Sequence, residues 1–309
     1  MNKKIAVLLK IFISLGLMTF LISQVDFRQI FSILKNVDII MIFYALIMLI
    51  IQAFVATARW QFVLNCQKIK ISYKNILKIL WSGLFFNQAM PSSVGGDVIR
   101  GYYLKKEGMS LGRATLGVLM DRLFGMMGLV ILVLISLPLL FELVDDTTAQ
   151  TGILFIALSA SIALMIILFT DKLPGNFSHL KLIEGFYSLS KDTRHCIVKN
   201  HCGLIIIPVS ILIHIISVTT VMIIAAGLNL NVDLWGGLLI FPLVSLMLVA
   251  PISIAGWGVR EVAMVVGFGY LGVAPEAALA LSILYGLSAL IVALPGGVVW
   301  ALKRNHGPN

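Results

Sequence analysis

Six long apolar stretches dominate this chain, and each is long enough to form a helix that crosses a bilayer. They are residues 5–23, 39–64, 114–141, 151–170, 203–228 and 277–302. In lipid such a stretch must satisfy its own backbone hydrogen bonds, which a helix does. Hydrophobic residues make up 60% of the 309 residues, and mean hydropathy is +1.02. The sequence therefore predicts an all-α polytopic membrane protein, with residues 1–309 forming a single integral membrane domain.

Two further apolar segments are interrupted by helix breakers. Residues 79–94 run into Pro91 and the Gly95-Gly96 pair, and residues 234–271 are broken at Pro251 and around Gly256. The two breaks share Pro, Ser, Gly and Arg at the same four offsets. Unwound backbone inside a membrane is tolerated only where protein or water surrounds it. A duplicated break therefore predicts a binding site of the kind that transporters build near the bilayer midplane.

The distribution of Lys and Arg predicts the orientation of the spans, because cytoplasmic loops carry an excess of them. Lys3 and Lys4 place the N-terminus inside the cell, and Lys303 and Arg304 place the C-terminus there too. A second basic cluster is assigned to the cytoplasmic side as well; it comprises Arg59, Lys68, Lys70, Lys74 and Lys78. This pattern predicts a multi-pass protein of the cell membrane, that is, the inner or plasma membrane.

A third basic cluster, from Arg100 to Arg113, follows the first break and is also expected inside. That position requires the broken segment to enter and leave from the cytoplasm. The second broken segment must start and finish outside, as a hairpin or as two short crossings. We therefore expect about six full spans and two broken re-entrant hairpins, or six to eight spans by simple counting. An odd number of crossings in each half, about residues 1–150 and 151–309, predicts an inverted repeat. The net charge of +9 is explained by inside loops that face anionic lipid, so it gives no reason to expect a nucleic-acid partner.

Six charges lie beside the breaks or within a span, in three groups. These are Asp97 with Arg100, Asp121 with Arg122, and Arg260 with Glu261. At roughly 3 kcal/mol for each charge, six charges facing lipid would cost about 18 kcal/mol, so they must face each other or a water-filled cleft. One interpretation is a set of structural ion pairs that lock the two halves together. The other is that the arginines receive the phosphate of an anionic headgroup with bidentate hydrogen bonds.

Glycines at the two breaks leave backbone amides uncovered at helix starts, where anions are attracted. We expect the three arginines and three acids to converge on one cavity. The candidate substrate-binding residues are Ser93, Gly95, Gly96, Asp97, Arg100, Asp121, Arg122, Ser253, Gly256, Arg260 and Glu261.

The three cysteines, Cys66, Cys196 and Cys202, are an odd number and fall on the predicted cytoplasmic side, where disulfides are rare. No disulfide framework is expected. The two His-Cys pairs at positions 195–196 and 201–202 have a spacing that differs from that of zinc sites, so they are interpreted as part of a solvated loop. Neither a metal nor another cofactor is expected.

The motifs together resemble one known family. Gly-Gly-Asp-x-x-Arg from Gly95 to Arg100, the Asp121-Arg122 pair and Gly-Trp-Gly-x-Arg-Glu from Gly256 to Glu261 are similar to the lysylphosphatidylglycerol synthase transmembrane-region family, also called the flippase-like domain family. In two-domain members this membrane region is associated with moving an aminoacylated phospholipid between leaflets, and a soluble domain synthesises that lipid. Residues 1–309 contain no such synthase domain, so we expect from the resemblance a stand-alone lipid-handling membrane protein.

Three functions are compared. The first is a flippase or transporter of an anionic, aminoacylated or glycosylated lipid, such as a phospholipid or a polyprenyl-type lipid. The second is an accessory scaffold that presents a lipid to a partner enzyme, for example a glycosyltransferase. The sequence also leaves open whether the protein forms a homo-oligomer. A membrane enzyme ranks last, because the sequence has no Ser/His/Asp constellation and no carboxylate pair at catalytic spacing within one segment.

Overall fold

A computed structural model of the protein describes residues 25–90, 94–172, 181–199, 201–249 and 256–305, together with residues 12, 14, 16, 17 and 19. All regular structure in these residues is helical. The α-helices are α1 (Phe27–Lys35), α2 (Ile39–Cys66), α3 (Tyr73–Ala89), α4 (Gly95–Lys106), α5 (Leu111–Leu143), α6 (Thr147–Phe169), α7 (Lys181–Arg194), α8 (Gly203–Gly227), α9 (Leu234–Met247), α10 (Val259–Gly269) and α11 (Pro275–Asn305). A 3₁₀ turn follows α6, and a π-helical turn, His195–Lys199, follows α7.

Five described helices are long and apolar enough to cross a membrane: α2, α5, α6, α8 and α11. They confirm five of the six predicted spans, and the protein is a multi-pass, all-α membrane protein. The sixth prediction, residues 5–23, lies almost entirely outside the described residues. Acidic caps explain where two of the helices begin, because Asp38 Oδ1 accepts from the amide of Ile40 at 2.8 Å and Asp146 Oδ1 from that of Thr148 at 2.8 Å.

Both broken segments form two helices that pack on each other, as a hairpin requires. In the first, α3 ends at Ala89 and α4 begins at Gly95; in the second, α9 ends at Met247 and α10 begins at Val259. The two prolines and the serines Ser93 and Ser253 lie outside the described residues. In the first hairpin the helices approach closely at Gly96, where a Cβ would collide with the carbonyl oxygen of Gly83.

The helices of the two predicted halves pack reciprocally. α2 packs on α8, which has the same place in the second half. α11, the last helix of the second half, packs on α3, the first arm of the first hairpin. Likewise α5, the last long helix of the first half, packs on α9, the first arm of the second hairpin. Two structurally related halves would pack on each other in this reciprocal way. The division of the chain near residue 150 stays a prediction.

Two apolar clusters form the interior. Trp60 and Phe124 are fully buried members of one, and Phe241 and Phe268 belong to the other. Many large apolar side chains point outward instead; Phe155, for example, is 72% exposed. An apolar exterior of this kind suits a protein whose surroundings are lipid.

The cysteines contradict the sequence-based prediction. The structure pairs Cys66 with Cys202 in a disulfide, although 136 residues separate them in the chain. The pairing arises because α2 ends and α8 begins at the same end of the helix bundle, a proximity that local spacing does not show. Cys196 lies beside them and is 2% exposed, so the solvated-loop interpretation is wrong for this residue. Burial raises the pKa of the Cys196 thiol to about 11.

Candidate functional site

One buried carboxylate joins three helices. Asp121 lies on α5, where it is 2% exposed. Its Oδ1 accepts from Arg59 Nε of α2 at 3.0 Å, and its Oδ2 accepts from Arg100 Nη2 of α4 at 2.6 Å. Both arginines are buried too. Charge-assisted bonds of this length satisfy a carboxylate that would otherwise be strongly destabilised by its removal from water.

A second acid lies beside this triad and is shared by two arginines. Asp97 Oδ2 accepts from Arg122 Nε at 2.9 Å, and Asp97 Oδ1 lies 3.4 Å from Arg100 Nη1. The Arg122 side chain is 50% exposed, so its guanidinium can make further contacts. We call Arg59, Asp97, Arg100, Asp121 and Arg122 the arginine cluster. Three guanidinium groups and two carboxylates leave this cluster with a formal charge of 3 − 2 = +1.

The guanidinium of Arg100 is held in place by its surroundings. It stacks over the ring of Trp60, with Arg100 Cζ 3.9 Å from the ring centroid, and Trp60 Nε1 donates to the carbonyl of Gly117 at 3.2 Å. A Cβ at Gly83 would lie 2.8 Å from Arg100 Cγ, so glycine leaves the room that this side chain needs. Arg100 Nε is among the few buried side-chain polar atoms in the described residues with no hydrogen-bond partner. The arginine thus retains an unused donor.

A cavity of about 320 Å³ adjoins the arginine cluster. It lies between helices of both predicted halves, because α2, α3, α4, α5 and α11 all contribute to its wall. Its polar lining comprises Gln52, Arg59, Asn87, Gln88, Arg100, Asp121, Arg122 and Tyr285. The remaining lining residues are small or apolar. A polar patch in an apolar wall is typical of ligand sites, and the volume falls within their usual range of roughly 300–1,000 Å³.

The second hairpin carries a separate ion pair. Arg260 Nη2 lies 2.6 Å from Glu261 Oε1, and Arg260 Nε donates to Ser282 Oγ of α11 at 3.1 Å. Glu261 Oε2 also accepts from the amide of Gly258 at 2.6 Å, which caps the start of α10. Arg260 stacks on Trp257, with Cζ 4.7 Å from the ring centroid. This pair has no net charge, and both residues are buried.

The structure therefore brings together four of the six predicted charges, Asp97, Arg100, Asp121 and Arg122. Arg260 and Glu261 do not line the same cavity, contrary to the expected convergence on one site. Arg260 is paired with the adjacent Glu261 instead, and this local ion pair neutralises its charge.

The glycines at the breaks have local roles in the described structure. The Gly96 amide donates to Asn87 Oδ1 at 3.0 Å, and Gly95 packs so closely on Met90 that a Cβ there would lie 2.5 Å from its sulfur. Gly256 has a φ of 84°, in the left-handed region that favours glycine. None of these three residues lines the cavity of the arginine cluster. Their part in substrate binding stays a prediction.

Sequence reasoning missed Arg59. It was grouped with the cytoplasmic lysines that follow it, but Arg59 is 9% exposed and lies within α2. The sequence contained a signal, because Arg59 falls inside the apolar stretch of residues 39–64 rather than after it. A charge inside a span requires a partner. That partner is Asp121, 62 residues further along the chain.

The fold and this cluster define a polytopic helical membrane protein with two helical hairpins and a buried, arginine-rich polar site. The sequence model of the protein family described as the lysylphosphatidylglycerol synthase TM region matches residues 7–297 of this chain. The chain belongs to that family.

Relatives of this chain include several archaeal UPF0104 membrane proteins. One from Methanocaldococcus jannaschii is 28% identical over 233 residues, which cover 72% of this chain and 96% of the relative. One from Methanothermobacter thermautotrophicus is 24% identical over 281 residues, 81% of each chain. A second M. jannaschii protein is 30% identical over 104 residues, which cover 33% of this chain and 31% of that relative. The chain thus aligns with most of two of these relatives and with about a third of the other.

Proposed function

We propose that this protein binds the anionic headgroup of a lipid at the arginine cluster and moves the lipid between the two leaflets. The observation that carries the proposal is the unbalanced charge of 3 − 2 = +1 beside an open cavity. One negative charge in the cavity would neutralise the cluster. A phosphate is the chemical group whose geometry best matches the planar fork of an arginine.

Arg122 is the residue that we assign to the first contact with the headgroup. Half of its side chain is exposed, whereas Arg59 and Arg100 are buried and bonded to Asp121. The cavity accommodates a headgroup, and the acyl chains would stay among the apolar outer faces of the helices. Asn87 and Tyr285 line the same cavity and could donate hydrogen bonds to a sugar, glycerol or amino-acid substituent.

Transport is proposed because both predicted halves form the wall of the cavity. α11 of the second half packs on α3, and α5 packs on α9 in the reciprocal arrangement. Rocking of two related halves around a central site is a common mechanism of alternating access. The orientation that we propose places both termini in the cytoplasm and the protein in the cell membrane, from the Lys and Arg distribution.

Binding and transport are favoured over catalysis. The acids of the arginine cluster, Asp97 and Asp121, are both engaged in ion pairs. His214 Nε2 contacts the carbonyl oxygen of Gly125 at 3.0 Å and does not line the cavity. Around the described part of the cavity we find no nucleophile with a neighbouring base, which a hydrolase or transferase would need.

The test measures lipid movement in vesicles of phosphatidylcholine that contain the reconstituted protein. Trace amounts of fluorescent phosphatidylglycerol, which is anionic, or fluorescent phosphatidylcholine, which is zwitterionic, report exchange between leaflets through quenching from outside. We expect the wild-type protein to move phosphatidylglycerol faster than phosphatidylcholine. Arg122→Gln, which makes the cluster neutral, should reduce this movement to the rate in protein-free vesicles. Arg28→Gln is the matched control, because Arg28 is exposed on α1 and outside the cavity.

Two outcomes would contradict the proposal. Equal rates for the two lipids would show that headgroup charge does not determine transport. Wild-type rates in Arg122→Gln would show that the arginine cluster is not the binding site. A third outcome would replace transport with the accessory function. If labelled phosphatidylglycerol binds in a manner that depends on Arg122 but does not change leaflet, the protein presents a lipid to a partner enzyme.

A further inference from the structure

All three cysteines of the chain meet at one end of the helix bundle. Cys66 is the last residue of α2, Cys202 immediately precedes α8, and Cys196 lies in the π-helical turn between α7 and α8. Their sulfur atoms lie within 4.8 Å of one another. The arginine cluster does not use this group of residues, which we call the thiol cluster.

The spacing of the sulfurs suits a shared metal ion. In a tetrahedral zinc site with Zn–S bonds of about 2.3 Å, two ligand sulfurs are about 3.8 Å apart. The three sulfurs of the thiol cluster fall within that range after small side-chain rotations, since none is more than 4.8 Å from another. Thiolates are soft ligands and select zinc or monovalent copper over hard cations such as magnesium.

The disulfide between Cys66 and Cys202 would have to be reduced before all three sulfurs could bind a metal ion. In the orientation proposed above from the Lys and Arg distribution, this end of the bundle lies in the cytoplasm, where thiols are kept reduced. A thiol reductant would supply two electrons and two protons to the Cys66–Cys202 bond, giving two thiols and one oxidised disulfide of the reductant. Three thiols are then present, and the chain contains no others.

We propose that the reduced thiol cluster binds one thiophilic cation, Zn²⁺ or Cu⁺, through the sulfurs of Cys66, Cys196 and Cys202. Binding releases the three thiol protons to solvent and forms three metal–sulfur bonds. No oxidation or reduction of the cation is involved. The site is independent of the lipid-binding function proposed above.

The surroundings of the thiol cluster can balance its charge and complete the coordination. Three thiolates with Zn²⁺ carry a net charge of −1. A cavity of about 200 Å³ next to the cluster is lined by Lys68, Arg113 and Asp192. Their two positive charges and one negative charge would offset the negative charge of the occupied site. The same cavity has room for a water molecule as fourth ligand, and His195 also lines it. Three protein ligands with one open position are a common arrangement for zinc.

A metal ion here would join the two predicted halves. α2 belongs to the first half, α8 to the second, and the two helices pack on each other along their length. The bonds would hold the end of α2 against the beginning of α8, together with the turn that contains Cys196. An occupied site would therefore keep this end of the two helices together.

The test uses the full-length protein in detergent, reduced with a phosphine and titrated with Cd²⁺ without oxygen. Cadmium is a probe of thiolate sites, because coordination by sulfur produces near-ultraviolet charge-transfer absorption. We expect one Cd²⁺ per chain. Cys66→Ser, Cys196→Ser and Cys202→Ser should each weaken binding by more than the roughly 10–100-fold that loss of an outer-shell partner causes. Circular dichroism and size-exclusion chromatography show whether each variant stays folded.

His201→Gln is the matched control. His201 neighbours Cys202 and is exposed, but its ring is not part of the group of clustered ligand atoms. It should bind Cd²⁺ like the wild type. Absence of the charge-transfer band in the reduced wild-type protein would overturn the proposal, as would wild-type affinity in a folded Cys196→Ser variant or equal loss in His201→Gln. Elemental analysis of reduced protein purified without chelator then identifies the natural ion as zinc or copper.

Discussion

Arg100 and Asp121 join the first hairpin to the long helix that follows it, with Arg100 Nη2 2.6 Å from Asp121 Oδ2 and both side chains buried. The other oxygen of Asp121 is bonded to Arg59. A single carboxylate therefore binds two guanidinium groups that come from different helices. This relationship makes Asp121 the residue on which the arrangement of the arginine cluster depends most.

We expect Asp121→Asn to destabilise the protein severely. The substitution leaves Arg59 and Arg100 buried without their shared counter-charge, and loss of one partner from a buried pair typically lowers the free energy of unfolding by about 3–5 kcal/mol. Thermal unfolding in detergent measures the change. Asp97→Asn is the comparison and should cost less, because Arg100 keeps its 2.6 Å bond to Asp121 and the other partner of Asp97, Arg122, is half exposed. Equal melting temperatures for the two variants would contradict this account of the cluster.

Gly96 and Gly101, both on α4, provide a matched test of helix packing in the first hairpin. A Cβ at Gly96 would collide with the carbonyl oxygen of Gly83 and the side chain of Asn87, whereas nothing lies within 4 Å of a Cβ at Gly101. We expect Gly96→Ala to lower the free energy of unfolding by about 1–3 kcal/mol through overpacking. Gly101→Ala should be neutral or should raise it by about 0.4–1 kcal/mol, since alanine restricts the unfolded chain.

Chemical denaturation of both variants in detergent measures these effects. Gly96→Ala should also slow the movement of labelled phosphatidylglycerol, because the collision would separate α3 from α4 and displace Arg100. A Gly96→Ala protein as stable as Gly101→Ala would show that the two arms of the hairpin are not held as closely as the structure places them.

The sequence predicted the fold well because membrane helices follow from length and hydropathy alone. Of the six predicted spans, five are long helices with boundaries within a few residues, for example Ile39–Cys66 for residues 39–64. The helix ends on either side of the two breaks were also predicted correctly, because proline and glycine interrupt helices. What hydropathy cannot reveal is which helices touch, since lipid-facing and buried surfaces are equally apolar.

The site was predicted only in part for that reason. Asp97, Arg100, Asp121 and Arg122 were found because a charge in an apolar segment requires an explanation. Arg59 was missed because a neighbouring run of lysines offered an easier explanation, and its partner is distant in sequence. The thiol cluster was missed for the same reason, since Cys66 and Cys202 meet only through the packing of α2 on α8.

The two halves carry similar breaks but unequal charge. In the first half three arginines share two acids, Asp97 and Asp121, whereas in the second half Arg260 is paired with the adjacent Glu261. This difference explains why the cluster of the first half keeps a net charge and the pair of the second does not.

The last prediction is that Arg260 is a structural residue. Arg260→Gln leaves Glu261 buried without its counter-charge and should lower the free energy of unfolding by about 3–5 kcal/mol. The paired change Arg260→Gln/Glu261→Gln should recover much of that loss, because glutamine at position 261 removes the charge and can still accept from the amide of Gly258. Thermal unfolding of the single and paired variants, together with movement of labelled phosphatidylglycerol, tests the prediction. The paired variant should transport like the wild type, in contrast to Arg122→Gln. A folded paired variant that has lost transport would instead place Arg260 in the lipid-binding site.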